Sequence, residues 1–124
     1  MSDIDINQAI EEGLSGEDLA KAARTREIGN WSKEIAIQRA EDDGIELIDD
    51  HWKVIELLRS IYVERGRPRQ ARFLASLLND AFAEQGGSRY LYQLFPGGPV
   101  SQGSRLAGVP APHDARDLSF GSSF

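Results

Sequence analysis

The chain has 124 residues, room for one ordinary domain and not two, with 40% hydrophobic and 27% charged residues. It carries 20 acidic against 14 basic residues, a net charge of −6, which argues against a protein whose main task is to coat nucleic acid. It has no cysteine, which excludes disulfides, thiolate metal sites, a cysteine nucleophile and a persulfide on this chain.

No run approaches the roughly 18 apolar residues of a spanning helix. The opening Met1-Ser2-Asp3-Ile4-Asp5 is acidic where a secretory leader would be basic and then apolar. The reading is a cytoplasmic protein with no membrane role. Charge is uneven: residues 1–50 hold 14 acids and 5 bases, and residues 51–124 hold 6 acids and 9 bases. An acidic front half and a mildly basic back half suggest two faces of different sign.

Residues 1–13 are weakly patterned. Ser15-Gly16-Glu17-Asp18 has the form of a capping box, so a short helix is expected over about 16–24. A second helix is expected over 32–43, capped by Asn30 or Ser32, with Trp31, Ile35, Ala36 and Ala40 and the stem of Arg39 as a narrow apolar stripe. Glu41-Asp42-Asp43 in its last turn opposes the helix dipole, a cost with no local explanation. Gly44 ends it.

The clearest element is a third helix, capped by Asp49 or Asp50, in which positions 51, 54, 55, 58, 61 and 62 share one face. Gly66 stops it. Pro68 is expected in the first turn of a fourth helix running to about Glu84, with Phe73, Leu74, Leu77, Leu78, Ala81 and Phe82 as its stripe. The third and fourth helices are expected to pack together and carry most of the core. Ser88 caps a short fifth helix over 89–95, Pro96-Gly97-Gly98-Pro99 breaks it, and a further turn covers Val100–Ala107 up to Gly108. From Val109 the prolines, small residues and Ser/Gly ending describe a mobile arm.

Little of this supports catalysis. Glu41-Asp42-Asp43 and Asp49-Asp50 are consecutive acids on solvated helix ends, which diverge where an acid–base pair must converge. His51, on an apolar stripe, reads as a packing or capping residue. His113 beside Asp114 lacks a third ligand, and Ser104 has neither a nucleophile elbow nor a base. No metal site or cofactor is expected. The notable cluster is Arg65, Arg67, Arg69 and Arg72, with Arg59 one or two turns earlier, across a helix–turn–helix-like junction. Arginine suits bidentate contacts to carboxylate or phosphate.

The run Arg89-Tyr90-Leu91-Tyr92-Gln93-Leu94-Phe95-Pro96-Gly97-Gly98-Pro99, continuing through Gln102-Gly103-Ser104 to Ala107-Gly108-Val109-Pro110-Ala111-Pro112, resembles the C-terminal signature of the DsrC/TusE family, Y-L-Y-x-L-F-P-G-G-P-x-x-Q-x-C-x-x-A-G-L-P-x-P. Gly44-Ile45-Glu46-Leu47, His51-Trp52 and Arg67-Pro68-Arg69 add to it, so the resemblance covers about residues 31–112. It implies a mainly α (α+β) fold: an orthogonal array of about five helices, a small N-terminal β-meander and a mobile C-terminal arm. The implied organisation is a variable segment over 1–30, a helical domain over 31–108 and a flexible arm over 109–124.

Members of that family are small sulfur-trafficking proteins whose arm carries two cysteines, one in the Q-x-C position and one 11 residues later. Here those positions hold Ser104 and Ala115. A serine hydroxyl cannot hold a persulfide sulfur or form a disulfide. The resemblance therefore implies a cysteine-free paralogue that is not an enzyme and carries no sulfur. It would bind or regulate a sulfurtransferase or a sulfite-reductase-like partner through Arg65, Arg67, Arg69, Arg72, Tyr90, Tyr92, Phe95, Gln102 and Arg105. The alternative is a DNA-binding regulator using the arginine-rich junction.

Overall fold

The computed structural model describes residues 15–114. Six α-helices lie in this range: α1 Gly16–Glu27, α2 Lys33–Asp42, α3 Asp49–Arg65, α4 Ala71–Ala81, α5 Ser88–Leu94 and α6 Ser101–Ala107, with a 3₁₀ turn at Ala83–Gln85. The described residues contain no strand, so the β-meander expected near the N-terminus has no counterpart within 15–30, where the chain forms α1 instead. Residues 1–14 lie outside the described range. Among the described residues no helix is long and apolar enough to cross a membrane.

The local signals act as expected at several ends. The Ser15 hydroxyl accepts from the Asp18 N–H, and the Asp18 carboxylate accepts from the Ser15 N–H, a complete capping box on α1. Ser32 caps α2 by accepting from the Ile35 N–H. Gly66 ends α3 with φ +78°, a conformation open mainly to glycine. Along α3 the expected face is the buried one: His51, Val54, Ile55, Leu58 and Tyr62 are all buried.

The core is arranged differently from the expectation. α3 packs most closely on α6, α2 also rests on α6, and α4 packs on α5. The short α6 is thus the hub. Its small residues explain why: Gly103 has no Cβ, and one built there would lie 2.9 Å from Leu58 Cδ1 on α3. Gly103, Ser104, Leu106 and Ala107 are all buried. The fourth helix is also shorter than expected. It begins at Ala71, leaving Pro68 in the preceding loop, and Phe73 and Ala81 face outward. Leu74, Leu78 and Phe82 carry its buried face.

The N-terminal helix is tied to α3 by polar contacts. Arg24 Nε donates to the Val63 carbonyl at 2.8 Å near the end of α3, and the Tyr62 hydroxyl donates to the Glu27 carboxylate. Burial, reinforced by that carboxylate, pushes the Tyr62 hydroxyl up to about 12. In the unfolded chain the same hydroxyl titrates near about 10. The unfolded state therefore loses its proton first, and Tyr62 makes stability fall as pH rises from about 10 towards 12. Denaturant midpoints measured across that window should fall less steeply in Tyr62→Phe than in the parent chain. Equal slopes would show that Tyr62 is not the group responsible.

Candidate functional site: the root and seat of the C-terminal arm

Helix α6 is seven residues long, so its last carbonyls need partners from elsewhere. Three side chains supply them. Arg39 Nη1 donates to the Arg105 carbonyl at 2.6 Å, Trp31 Nε1 to the Leu106 carbonyl at 2.7 Å, and Arg59 Nη1 to the Ala107 carbonyl at 2.8 Å. Arg59 also donates to the Ile28 carbonyl and stacks 4.2 Å over the Trp31 ring. Gly108 then turns the chain with φ +70°, its Cα so close to Trp31 that a Cβ would lie 2.5 Å from the indole. Arg59 therefore belongs to the arm root and not with the arginines of the α3–α4 junction. Sequence reasoning missed Trp31, Arg39 and Arg59 as capping groups. The only signal was an arginine on each of two apolar-striped helices.

The acidic end of α2 has its explanation here. Asp43 forms an ion pair with Arg105 at 2.8 Å and accepts from Gln102 Nε2 at 3.3 Å, both on α6. Gln102 Oε1 in turn accepts from the Gly97 N–H at 2.9 Å, closing the Pro-Gly-Gly-Pro turn onto the helix. The dipole cost at Asp43 is thus offset by a cation from a distant helix.

His51 fixes the other side of this turn. It is 4% exposed. Nε2 lies 2.7 Å from the Leu94 carbonyl, which can only accept, so Nε2 carries the proton. Nδ1 then accepts from the Ile48 N–H at 3.0 Å, capping the start of α3. Phe95 meets the imidazole edge-on at 5.0 Å.

Beyond Gly108 the chain stays on the surface of the bundle through Asp114. Arg67 Nε donates to the Ala111 carbonyl at 2.6 Å, Pro112 is buried, and the His113 and Asp114 N–H groups donate to the Pro68 and Arg69 carbonyls. The Asp114 carboxylate accepts from the Ala71 N–H, supplying the N-terminal cap that Gln70 does not give to α4. The first six residues of the expected mobile arm are therefore held across the α3–α4 junction. This also explains the late start of α4: the carbonyls of Pro68 and Arg69 pair with the arm.

The expected docking residues separate accordingly. Phe95, 0% exposed, is a core residue and offers no surface in this structure. Gln102 and Arg105 are bound to Asp43, and Arg67 holds the arm. The Tyr90 hydroxyl donates to the Asp50 carboxylate. That bond, with help from Lys53, holds the Asp50 carboxyl below its usual range, and the carboxylate raises the Tyr90 hydroxyl. Arg65, Arg69, Arg72 and Tyr92 are exposed. Arg65 lies 5.7 Å over the Phe73 ring, beside a groove of about 440 Å³ that Ile61, Pro68 and Arg69 also line. Because residues 109–114 lie along the junction and Arg67 is engaged, the geometry gives no support to a helix–turn–helix grip on DNA. Among the described residues no group of three or more His, Asp or Glu side chains is placed to hold a metal ion.

Ser104 sits within this root, 1% exposed, and its hydroxyl has no hydrogen-bond partner. Ala115 lies outside the described residues. In Ser104→Cys, the only thiol of the chain should stay unreactive to a disulfide reagent in the native state and react fully in denaturant. Its stability should stay within about 1 kcal/mol of the parent or exceed it, since a thiol tolerates an apolar site better than an unpaired hydroxyl. Rapid labelling of the native variant would contradict this burial.

A small helical protein whose last described helix is a buried hub, and whose following segment is held on the α3–α4 junction, defines an arm-bearing scaffold. The family model for DsrC-like protein matches residues 18–115, and the chain belongs to that family. It is 40% identical over 88 residues to the sulfurtransferase TusE of Escherichia coli (strain K12), covering 70% of this chain and 81% of that one, with the same figures for the TusE of Salmonella typhimurium (strain LT2). Among solved structures it resembles the NMR structure of Allochromatium vinosum DsrC, with a TM-score of 0.59 and 37% identity over 69% of this chain and 78% of that one. The family match begins at residue 18, ahead of the motifs that first suggested it, and takes in nearly all of α1.

Proposed function

We propose that this chain is a non-catalytic member of the family. It docks on a sulfurtransferase or sulfite-reductase-like partner and regulates access to it, without carrying sulfur. One observation carries the reading. The arm root keeps an extensive set of polar contacts, yet the signature's cysteine position holds the buried Ser104 in a chain with no thiol. Sulfane sulfur needs a thiolate to receive it. What remains to act is shape and charge. The exposed Arg65 and Arg69 lining the Phe73 groove, with the exposed Arg72 preceding Phe73 on α4, form the surface that would meet an acidic and apolar patch on the partner.

The test is a calorimetric titration of the full chain with the sulfurtransferase, and separately with the sulfite reductase, that a thiol-bearing relative binds. Saturable binding to one of them, weakened in the Arg65→Glu/Arg69→Glu double variant, is expected. If the relative binds and this chain binds neither, the reading fails.

A further inference from the structure

A second surface, at the opposite end of α3 from the arginine groove, is not used by this reading. A cleft of about 520 Å³ opens between α2 and the 44–47 linker, with Ile37, Ala40, Ile45, Leu47 and Trp52 as its apolar lining and Glu41 and Glu46 among its walls. Ile37 is 44% exposed, and the neighbouring Ile48 is 50% exposed. On α2, Glu34, Ile37 and Glu41 follow one another at spacings of three and four, so Ile37 lies between two acids on one stripe. Lys33 Nζ lies 6.0 Å from the Trp52 ring, and among the described residues no Lys or Arg side chain lines the cleft itself. Asp43, which would add to the negative field, is spent on Arg105.

We propose that this cleft is a docking site for a basic amphipathic segment of a partner protein, whose apolar side chains enter beside Ile37 and Trp52 while its Lys or Arg side chains meet Glu34, Glu41 and Glu46. Charge selects the occupant. An apolar groove alone would take any greasy segment, but Glu41 and Glu46 in its wall, with Glu34 one turn before Ile37 on α2, repel acidic ones and attract basic ones. The chain's own first 14 residues carry four acids and no base, so they do not complement it. The site is independent of the arginine groove. Trp52 and Arg65 are 13 residues apart on one helix, about 20 Å along its axis.

The test uses the full chain and a synthetic 14-residue helical peptide with leucine at positions i, i+3, i+4 and i+7 and lysine elsewhere. A counterpart has every lysine replaced by glutamate. In a ¹H–¹⁵N NMR titration at low salt, the lysine peptide should move the Trp52 indole and Ile37 amide signals and leave the Trp31 indole in place. The Glu41→Lys/Glu46→Lys variant should bind about tenfold more weakly or worse. Ile37→Asp should also weaken binding, and Glu84→Lys, on the exposed 3₁₀ turn, should not. The cleft variants alter exposed side chains, and circular dichroism checks that each one folds.

The proposal is overturned by shifts that map away from the cleft, by equal affinity for the glutamate peptide, or by unchanged affinity in the double variant. A concentration-dependent self-association that Glu41→Lys/Glu46→Lys abolishes would assign the cleft to a second copy of this chain and overturn it too. None of these outcomes bears on binding at Arg65 and Arg69, so the two surfaces fail separately.

Discussion

His51→Ala should lower the unfolding free energy by about 3 kcal/mol, read as a shift of the urea midpoint with an unchanged slope. Three losses combine. The Leu94 carbonyl, on a residue 5% exposed, loses the donor it holds at 2.7 Å. The Ile48 N–H loses its acceptor, at lower cost because Ile48 is half exposed and water can reach it. A cavity opens against Phe95, which the imidazole meets edge-on. An unsatisfied buried acceptor costs about 1–3 kcal/mol, and the void adds to it. His51→Gln, able to keep a donor near Leu94, should recover part of the loss. His51→Asn, able to keep an acceptor near Ile48, should recover less. If Asn rescues better than Gln, the cap at α3 matters more than the link to α5. If the alanine variant is as stable as the parent, this account of the turn is wrong.

Gly108→Val should cost as much or more, about 3–5 kcal/mol, for two separable reasons. The backbone there has φ +70°, which a β-branched residue adopts only at about 1–2 kcal/mol or more. The new Cβ would stand 2.5 Å from Trp31 Cδ1, so the indole must move and release the Leu106 carbonyl. Gly44→Val isolates the first reason. Its φ is +74°, but nothing lies within 4 Å of its missing Cβ. The difference between the two variants, measured by chemical denaturation, gives the share owed to Trp31. Equal losses would mean that the arm root is not tightly packed.

These two residues mark how far the sequence could be read. The stripe of α3 was legible because it repeats at a helical period over four turns, and its buried residues follow that stripe. The capping box at Ser15 was legible because it is local. The role of α6 was not. Its seven residues are mostly small or polar, and what makes it the hub is a set of contacts spanning long stretches of chain, such as Trp31 to Leu106 across 75 residues. The same distance hid the partner of Asp43, since the relief of the acidic turn comes from Arg105, 62 residues away. Pro68 misled because a proline in a helix's first turn and a proline just before a loop look alike in sequence. The pairing of its carbonyl with His113 decides between them. The family itself was legible from one dense motif over 89–112, whereas core and contact readings of Phe95 look alike in sequence, and in the structure it is fully buried.

The central claim is that this scaffold docks in a sulfur relay and does not carry the cargo. The most direct measurement runs a relay with ³⁵S-labelled donor, the thiol-bearing relative and their acceptor, and adds this chain in increasing amounts. The account predicts that transfer to the acceptor falls as the chain is added, while the chain itself acquires no label. Stoichiometric label on the chain, or transfer that continues unchanged at a large excess, would contradict it.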